Sequence, residues 1–549
     1  MPLTSNRIRE RLHTAAADAS AVATLHRSGV IDLTRPDRVL WTARSNRRYG
    51  PQATLIMKAA KEFPDAPALV DERGVLTYRE LDKQSNALAN ALLARGLRPG
   101  SVIGVLARDH RGLVLTISAA GRAGLRLAMM NTGFARPQFA EVAVREKVRA
   151  VLHDEEFTDL LSALPADLPR LLTWTDSAPT VSLGTPTIDG LIASAGTELP
   201  APPERPGGFI ILTSGTTGLP KGAPRTSLSP VTSAMFVDRI PFPRRGTVLI
   251  ASPIFHSTGF ATWTIAAALA NQVVTMRRFD AETTLATLAA HRAEMLVAVP
   301  TMLNRILALG TEVLARYDLS ALRVIAVAGS AVSPELSERI QDAFGEVLYN
   351  LYGSTEVAIC SVAQPAELRL APGTVGRPPV TAQVALFDDN DRRIERPLVK
   401  GRIFARTAAP FEGYTDGRTK QIIDGYMSTG DMGHFDRHGL LHVDGRDDDM
   451  IVSGGENVYP LEVENLLAAL PGVHDAAVVG VPDGDFGKRL RAVIVAAPGS
   501  SLDAHAVKDH VRAHLARYKV PRDVIFLDEL PRNATGKVVR RTLEKLDLA

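Results

Sequence analysis

The chain has 549 residues, too many for one hydrophobic core, so at least two domains are expected. Its 45% apolar and 22% charged content is ordinary for a soluble globular protein, and a net charge of +3 argues against a nucleic-acid partner. A single cysteine, Cys360, excludes an intramolecular disulfide and fits a reducing, cytoplasmic setting.

Residues 1–50 form an N-terminal extension, expected to be helical, with nine Arg against four acids. Ile8, Leu12, Ala15, Ala19 and Val22 recur at helical spacing. A basic amphipathic helix of this kind could make a peripheral contact with an anionic membrane. The mostly Ala face favours a helix docked on the main domain instead. No compact apolar region marks a signal peptide, and no apolar run is long enough to span a bilayer. The nearest, 260-FATWTIAAALANQVVTM-276, carries Thr, Asn and Gln and reads as core.

Thr77 and Glu80 have capping-box spacing at the head of a helix whose apolar face is Leu81, Leu88, Leu92 and Leu93, with Gly96 as its stop. Strands are expected at 102–107, 209–213, 247–251, 295–299 and 322–328. Helices are expected near 282–291, 301–309 and 334–344. Continuous β-branched runs alternating with helices predict parallel sheets buried on both faces, an α/β layered domain. From about Gly376, short strands such as 383-QVALF-387 and 401-GRIFART-407 between charged turns predict an antiparallel or barrel-like segment. The charged, glycine-bearing stretch 446-RDDDMIVSGGENVYP-460 breaks that pattern. A helix from Pro460, strands at 475–481 and 490–496, a helix near 504–515 and a strand at 524–527 follow. The expected domains are therefore 51–445 and a small α+β unit, 450–549, joined at 446–449.

One loop carries chemistry. In 212-LTSGTTGLPKGAPRT-226, glycines let backbone N–H groups turn toward an anion, hydroxyls donate to phosphate oxygens, and Lys221 adds charge. The spacing fails the Walker A pattern, because Lys221 is followed by Gly222. Taken alone, such a loop is more often a turn-rich hairpin. It is followed by 352-YGSTE-356, 426-YMSTGD-431, 445-GRDDDMIVSGGENVYPLEVE-464 and 532-RNATGK-537.

Those five motifs, in this order, resemble the adenylate-forming superfamily of acyl-CoA synthetases, adenylation domains and luciferases. The resemblance runs from about Ala66 to Val539 and is closest to bacterial fatty-acid–CoA ligases. It implies a large domain of layered α/β subdomains with a distorted β-barrel, and a small mobile C-terminal domain. It also implies two steps: a carboxylate attacks the α-phosphate of ATP to give acyl-AMP and pyrophosphate, then coenzyme A takes the acyl group and AMP leaves.

On that resemblance Thr213, Ser214, Gly215, Thr216, Thr217, Gly218 and Lys221 hold the β- and γ-phosphates. Thr355 donates to the α-phosphate, and Glu356 is the Mg²⁺ ligand. Gly329, Ser330, Tyr352 and Gly353 line the nucleotide, although this chain has Ala328-Gly329-Ser330 where the family often has a Gly-Gly-Ala turn. Asp431 binds the ribose, and Arg446 reaches the ribose or phosphates. Lys537 bridges the carboxylate and the α-phosphate. Asp448 is the hinge about which the small domain rotates between steps, bringing Ser453, Gly454 and Gly455 to coenzyme A. His256 positions the carboxylate or is a satisfied core histidine.

Gly259, Ala261 and Ala266 to Ala268 could leave room for an alkyl chain or could simply pack helix on sheet. The expected substrate is a medium- or long-chain fatty acid. The rivals are an aryl or short-chain acid, and a fatty acyl-AMP ligase that loads a separate carrier protein. No carrier domain follows Ala549, which favours coenzyme A. Luciferase-type chemistry and a non-catalytic binder are more remote; a homodimer stays open.

Overall fold

The computed structural model describes residues 17–176, 184–213, 220–225, 230–409, 411–447, 449–453, 456–483, 487–534 and 536–546. Ile8, Leu12, Ala15, Ser214 to Gly218, Asp448, Gly454 and Gly455 lie outside the described residues.

Two mainly parallel sheets form the large part of the chain. The first has eight strands. It runs Ala358–Ala363, Leu348–Ser354, Val324–Val327, Met295–Ala298, Thr247–Ile250, Gln272–Thr275, Pro67–Asp71, Gly74–Thr77, and only the hairpin at each edge is antiparallel. The second runs Arg170–Trp174, Val148–Asp154, Val102–Leu106, Arg126–Met129, Phe209–Thr213, Lys221–Arg225, with one antiparallel hairpin at the end. Met295–Ala298 and Val324–Val327 are buried along their whole length. This is why these strands read as unbroken apolar runs: helices cover both faces. Thr77 caps the helix Tyr78–Ala94 as expected, accepting from the Glu80 amide at 3.2 Å while Glu80 accepts from the Thr77 amide at 2.8 Å.

The segment expected to be antiparallel is a six-stranded antiparallel sheet containing Ala382–Phe387, Gly401–Thr407, Tyr426–Phe435 and Leu441–Arg446. Leu441–Arg446 belongs to this sheet and Ile451–Ser453 to the next, so the chain changes sheets between them. The last sheet pairs Val473–Asp483 with Gly487–Ala496. Helices Pro460–Ala468 and Ala504–His514 cover it, burying Val463, Leu467, Val507 and Val511 against Val478, Leu490 and Ile494.

Residues 17–28 are helical and docked, but on a different face from the one the spacing suggested. Ala19 and Val22 are exposed; Ala21, Thr24 and Leu25 are buried, with Ala21 and Leu25 sharing a core with Ile56 and Ala59. Lys58 secures the turn that follows by donating to the Val30 carbonyl at 2.9 Å. A face of small residues carries too little hydrophobic signal to fix its own phase. The partner surface decides it.

Candidate active site

In a parallel sheet the loops leaving the carboxyl ends of the strands converge, and ligands bind there. Three such segments of the first sheet carry predicted site residues: 252–256 after Thr247–Ile250, Ala328 to Ser330 after Val324–Val327, and Thr355 and Glu356 after Leu348–Ser354; Val299 to Thr301, after Met295–Ala298, is a fourth such segment. Gly353 sits at a register shift where an added Cβ would lie 1.8 Å from the Ala358 carbonyl oxygen, so the turn that presents Glu356 admits only glycine. Gly329, at φ +100°, leaves its strand in a conformation side chains avoid.

Glu356 is buried, yet its carboxyl is held below the usual range. Burial pushes the pKa up, but the Tyr414 hydroxyl, the Ser354 hydroxyl and the charge of Lys420 outweigh it. The Tyr414 hydroxyl donates to Glu356 Oε1, and Lys221 lies over the Tyr414 ring, 4.8 Å from its centroid. Behind this turn, Arg225 donates to the carbonyls of Thr355 at 2.7 Å and Glu356 at 2.9 Å. Thr213 and Lys221 face each other across the Phe209–Thr213 and Lys221–Arg225 hairpin, where the Thr213 hydroxyl donates to the Lys221 carbonyl at 3.2 Å. Both ends of the glycine-hydroxyl loop are thereby fixed.

Asp431 accepts from the Tyr352 hydroxyl at 2.6 Å and lies 3.8 Å from Arg446, its register partner on the next strand. Burial raises its pKa, and the Tyr352 hydroxyl and Arg446 oppose the rise. Tyr352, expected against the nucleotide base, thus also orients this carboxylate.

Lys537 arrives from the C-terminal part of the chain. Its loop is internally braced: the Lys537 amide donates to Asn533 Oδ1 at 3.0 Å, the Asn533 amide to the Lys537 carbonyl at 2.9 Å, and Arg532 to the Gly536 carbonyl at 2.6 Å. Glycines on both sides allow the loop to dock. A Cβ on Gly536 would meet Thr301 Oγ1 at 2.6 Å, and one on Gly133 would meet the Ala534 Cβ at 3.0 Å. Protein surrounds Lys537 on most sides while its side chain stays open to the cleft. Desolvation and Arg446 lower its pKa; Asp431 and Glu356 hold it up. His256 feels the same lysine. Burial first, then Lys537, push the imidazole down to about 3, so it is neutral at working pH. Its Nε2 is buried without a hydrogen-bond partner among the described residues.

The structure therefore brings together Thr213, Lys221, Tyr352, Thr355, Glu356, Asp431, Arg446, His256 and Lys537. Gly329 and Ser330 stand exposed at the end of their strand. Ser453 is buried in the C-terminal sheet, paired with Glu456 and Gly487, and takes no part in the described contacts of the cluster. Cys360 is buried, and burial raises its thiol pKa; it packs with Val357 and Ala405. Three contributors were invisible to motif reading. Tyr414 and Lys420 lie in a stretch that showed only a change of texture. Arg225 lies within the quoted 212–226 stretch, but it acts through the backbone carbonyls of Thr355 and Glu356, a role that the phosphate-loop reading left unassigned.

The family model for the AMP-binding enzyme matches residues 56–415, and that for the AMP-binding enzyme C-terminal domain matches 462–537. Indoleacetate–CoA ligase of Aromatoleum aromaticum is 32% identical over 498 residues, covering 89% of this chain and 95% of that protein. Fatty acid–[acyl-carrier-protein] ligase ScoC of Streptomyces coeruleorubidus is 29% identical over 519 residues, covering 91% and 97%. Among solved structures, o-succinylbenzoate CoA synthetase from Bacillus subtilis, in complex with its acyl-adenylate intermediate, superposes with a TM-score of 0.78 at 26% identity, covering 90% and 98%. The chain belongs to the AMP-binding enzyme family, the adenylate-forming enzymes. Acid activation with ATP, Mg²⁺ and coenzyme A is the chemistry of that family and, by membership, of this chain.

The donor set fits Mg²⁺. That ion gives up water reluctantly and is held by one or two carboxylates plus substrate phosphates, and Glu356 offers one ionised carboxylate in a pocket of cations. Bound there, Mg²⁺ would neutralise phosphate charge. Replacing Tyr414 with Phe removes a donor that keeps Glu356 ionised. The acid limb of AMP formation should then move to higher pH in Tyr414→Phe; an unmoved limb would show that Glu356 ionisation does not govern the reaction.

Proposed function

We propose that this enzyme joins a compact, apolar carboxylic acid to AMP and then to coenzyme A, with Lys537, Glu356 and Asp431 dividing the adenylation step among them. The observation that carries the reading is convergence: Lys537, from beyond the change of sheets, is electrostatically coupled to Asp431 and Glu356 at once. In adenylation two anions, the carboxylate and the α-phosphate, must come into contact. A positioned cation between them removes the repulsion and stabilises charge on the pentacovalent phosphorus. Lys221, with the phosphate loop, holds the outer phosphates. Thr355 donates to the α-phosphate, Asp431 accepts from the ribose hydroxyls with Arg446 beside it, and neutral His256 orients the carboxylate without adding charge.

A lysine over the α-phosphate blocks the path of a thiol. The small domain rotates about Asp448 between the half-reactions, bringing Ser453, Gly454 and Gly455 to the pantetheine arm. Asp447 and Asp449 flank that pivot with opposite allegiances: the Asp447 amide donates to the Gly430 carbonyl at 3.0 Å, while Asp449 lies 3.5 Å from Arg540.

The acid is an aryl or arylalkyl acid in this reading. Ala266 and Ala267 are buried in the main core, Ala268 is buried beside them, and a Cβ on Gly259 would strike the Pro253 carbonyl oxygen at 2.3 Å. Their small size therefore serves packing, which withdraws the reason for expecting a long alkyl tunnel. Phe209, Phe260 and Trp263 fill the space behind, with ring centroids 4.6 and 6.0 Å apart. The named substrates of the indoleacetate and o-succinylbenzoate ligases point the same way. The likeness to ScoC favours a second reading, a fatty acid passed to a carrier protein.

Carboxylate-dependent AMP release, measured from acetate through octanoate and oleate to benzoate and indoleacetate, with and without coenzyme A, tests both. Aryl acids should lead, with coenzyme A consumed; leading fatty acids and an acyl-adenylate that persists with coenzyme A present favour the second reading. ADP and orthophosphate as products would end both. Lys537→Ala should slow adenylate formation about a hundredfold or more while sparing thioester formation from supplied acyl-AMP; equal loss in both halves would remove the role assigned to it. Asp448→Pro should do the opposite, slowing thioester formation alone, and an enzyme unchanged in both halves would exclude this pivot.

A further inference from the structure

The loop that carries His256 is held from an unexpected side. Asp109 follows the strand Val102–Leu106 of the second sheet, whereas Pro253 to His256 follow the strand Thr247–Ile250 of the first. Across that boundary the Ile254 amide donates to the Asp109 carboxyl, at 3.0 Å to Oδ1 and 3.2 Å to Oδ2. Among the described residues no backbone carbonyl takes this N–H.

Asp109 is 5% exposed and makes no ion pair among the described residues. Its neighbour Arg108 is engaged with Glu156 through two 2.8 Å bonds. Burial, with Asp154 adding to it against the Ile254 amide and Arg108, pushes the Asp109 pKa up to about 8. Its one hydrogen bond to the neighbouring sheet among the described residues is from the Ile254 amide.

What it holds is narrow. The His256 amide donates to the Pro253 carbonyl at 3.1 Å, and the His256 carbonyl accepts from the Phe260 amide at 2.8 Å, at the start of the helix Ser257–Ala268. Gly259 closes over Pro253 from the helix side. The turn is thus pinned from above by its own helix and from below by Asp109. Asp109 in turn stands on a rigid base. His110 Nδ1 accepts from the Gly112 amide at 3.0 Å, so Nε2 carries the proton and donates to Asp154 at 2.8 Å, where the Thr173 hydroxyl also donates at 2.6 Å. His110 and Asp154 are fully buried.

We infer that Asp109 is a positioning residue for the adenylation step: through the Ile254 amide it sets the place of His256 against Lys537 and the incoming acid. Removing its acceptor leaves a buried N–H unsatisfied and frees the turn toward the second sheet. The inference rests on the role given to His256 above.

The test is a double-mutant cycle on the full-length enzyme, read by pyrophosphate exchange with an aryl acid. Asp109→Ala should raise KM for the acid about tenfold with KM for ATP little changed, because a buried acceptor of the Ile254 amide is lost. Asp109→Asn keeps an oxygen for Ile254 and should stay close to the parent enzyme. In a His256→Ala background, Asp109→Ala should add almost nothing, because both changes remove the same arrangement. Should Asp109→Ala fail to fold, Asp109→Ser, too short to reach Ile254, takes its place in the cycle.

Additive effects of the two changes, or equal rises in KM for acid and ATP, overturn the inference and leave the role of His256 intact. A His256→Ala enzyme with unchanged constants overturns that role and this inference together.

Discussion

Two like charges that must touch set the architecture of this enzyme. A carboxylate and a triphosphate repel, and the remedy is a cation placed between them, the role proposed for Lys537. On that proposal the cation also obstructs the second nucleophile, so it has to be carried on a part of the chain that can leave. The division into a large body and a small C-terminal unit answers the conflict that this proposal sets. So does the character of the 531–537 loop: it is stiff within itself and meets the large body across two glycines, a contact that can be made and broken without repacking a core.

The fixed side of the site is built on the opposite principle. Glu356 stays ionised although buried because hydroxyls and a lysine surround it, and the turn that presents it is gripped from behind by a buried arginine through main-chain oxygens. Asp431 is oriented by Tyr352 and faced by Arg446 from the neighbouring strand. These groups are held by the fold before any substrate arrives, which is what electrostatic preorganisation requires. Lys221, Lys420, Arg446 and Lys537 outnumber the two carboxylates among them, leaving the cleft suited to a polyanion.

Much of this was legible in the residues. The parallel strands announced themselves because burial on both faces forces continuous apolar runs, and helix 334–344 was bounded correctly because Pro334 opens it and Gly345 follows it. The site motifs were legible because phosphate chemistry demands glycine and hydroxyl residues close together in the chain. What stayed hidden was whatever acts across the fold. Tyr414 reaches Glu356 over 58 positions, Arg225 reaches Thr355 over 130, and Asp109 reaches Ile254 over 145. No local pattern encodes such pairs. The docked face of residues 17–28 was misjudged for a related reason: alanine spacing is weak evidence without the surface it meets.

The short segment between the third and fourth sheets has a kinetic consequence. Asp447 is tied to the large body and Asp449 to Arg540 of the small one, only two residues apart. In the proposed rotation, a tether that brief would keep the lysine-bearing loop at a high effective molarity over the nucleotide. Re-engagement after each turnover would then be a unimolecular search through few orientations, with a speed independent of enzyme concentration.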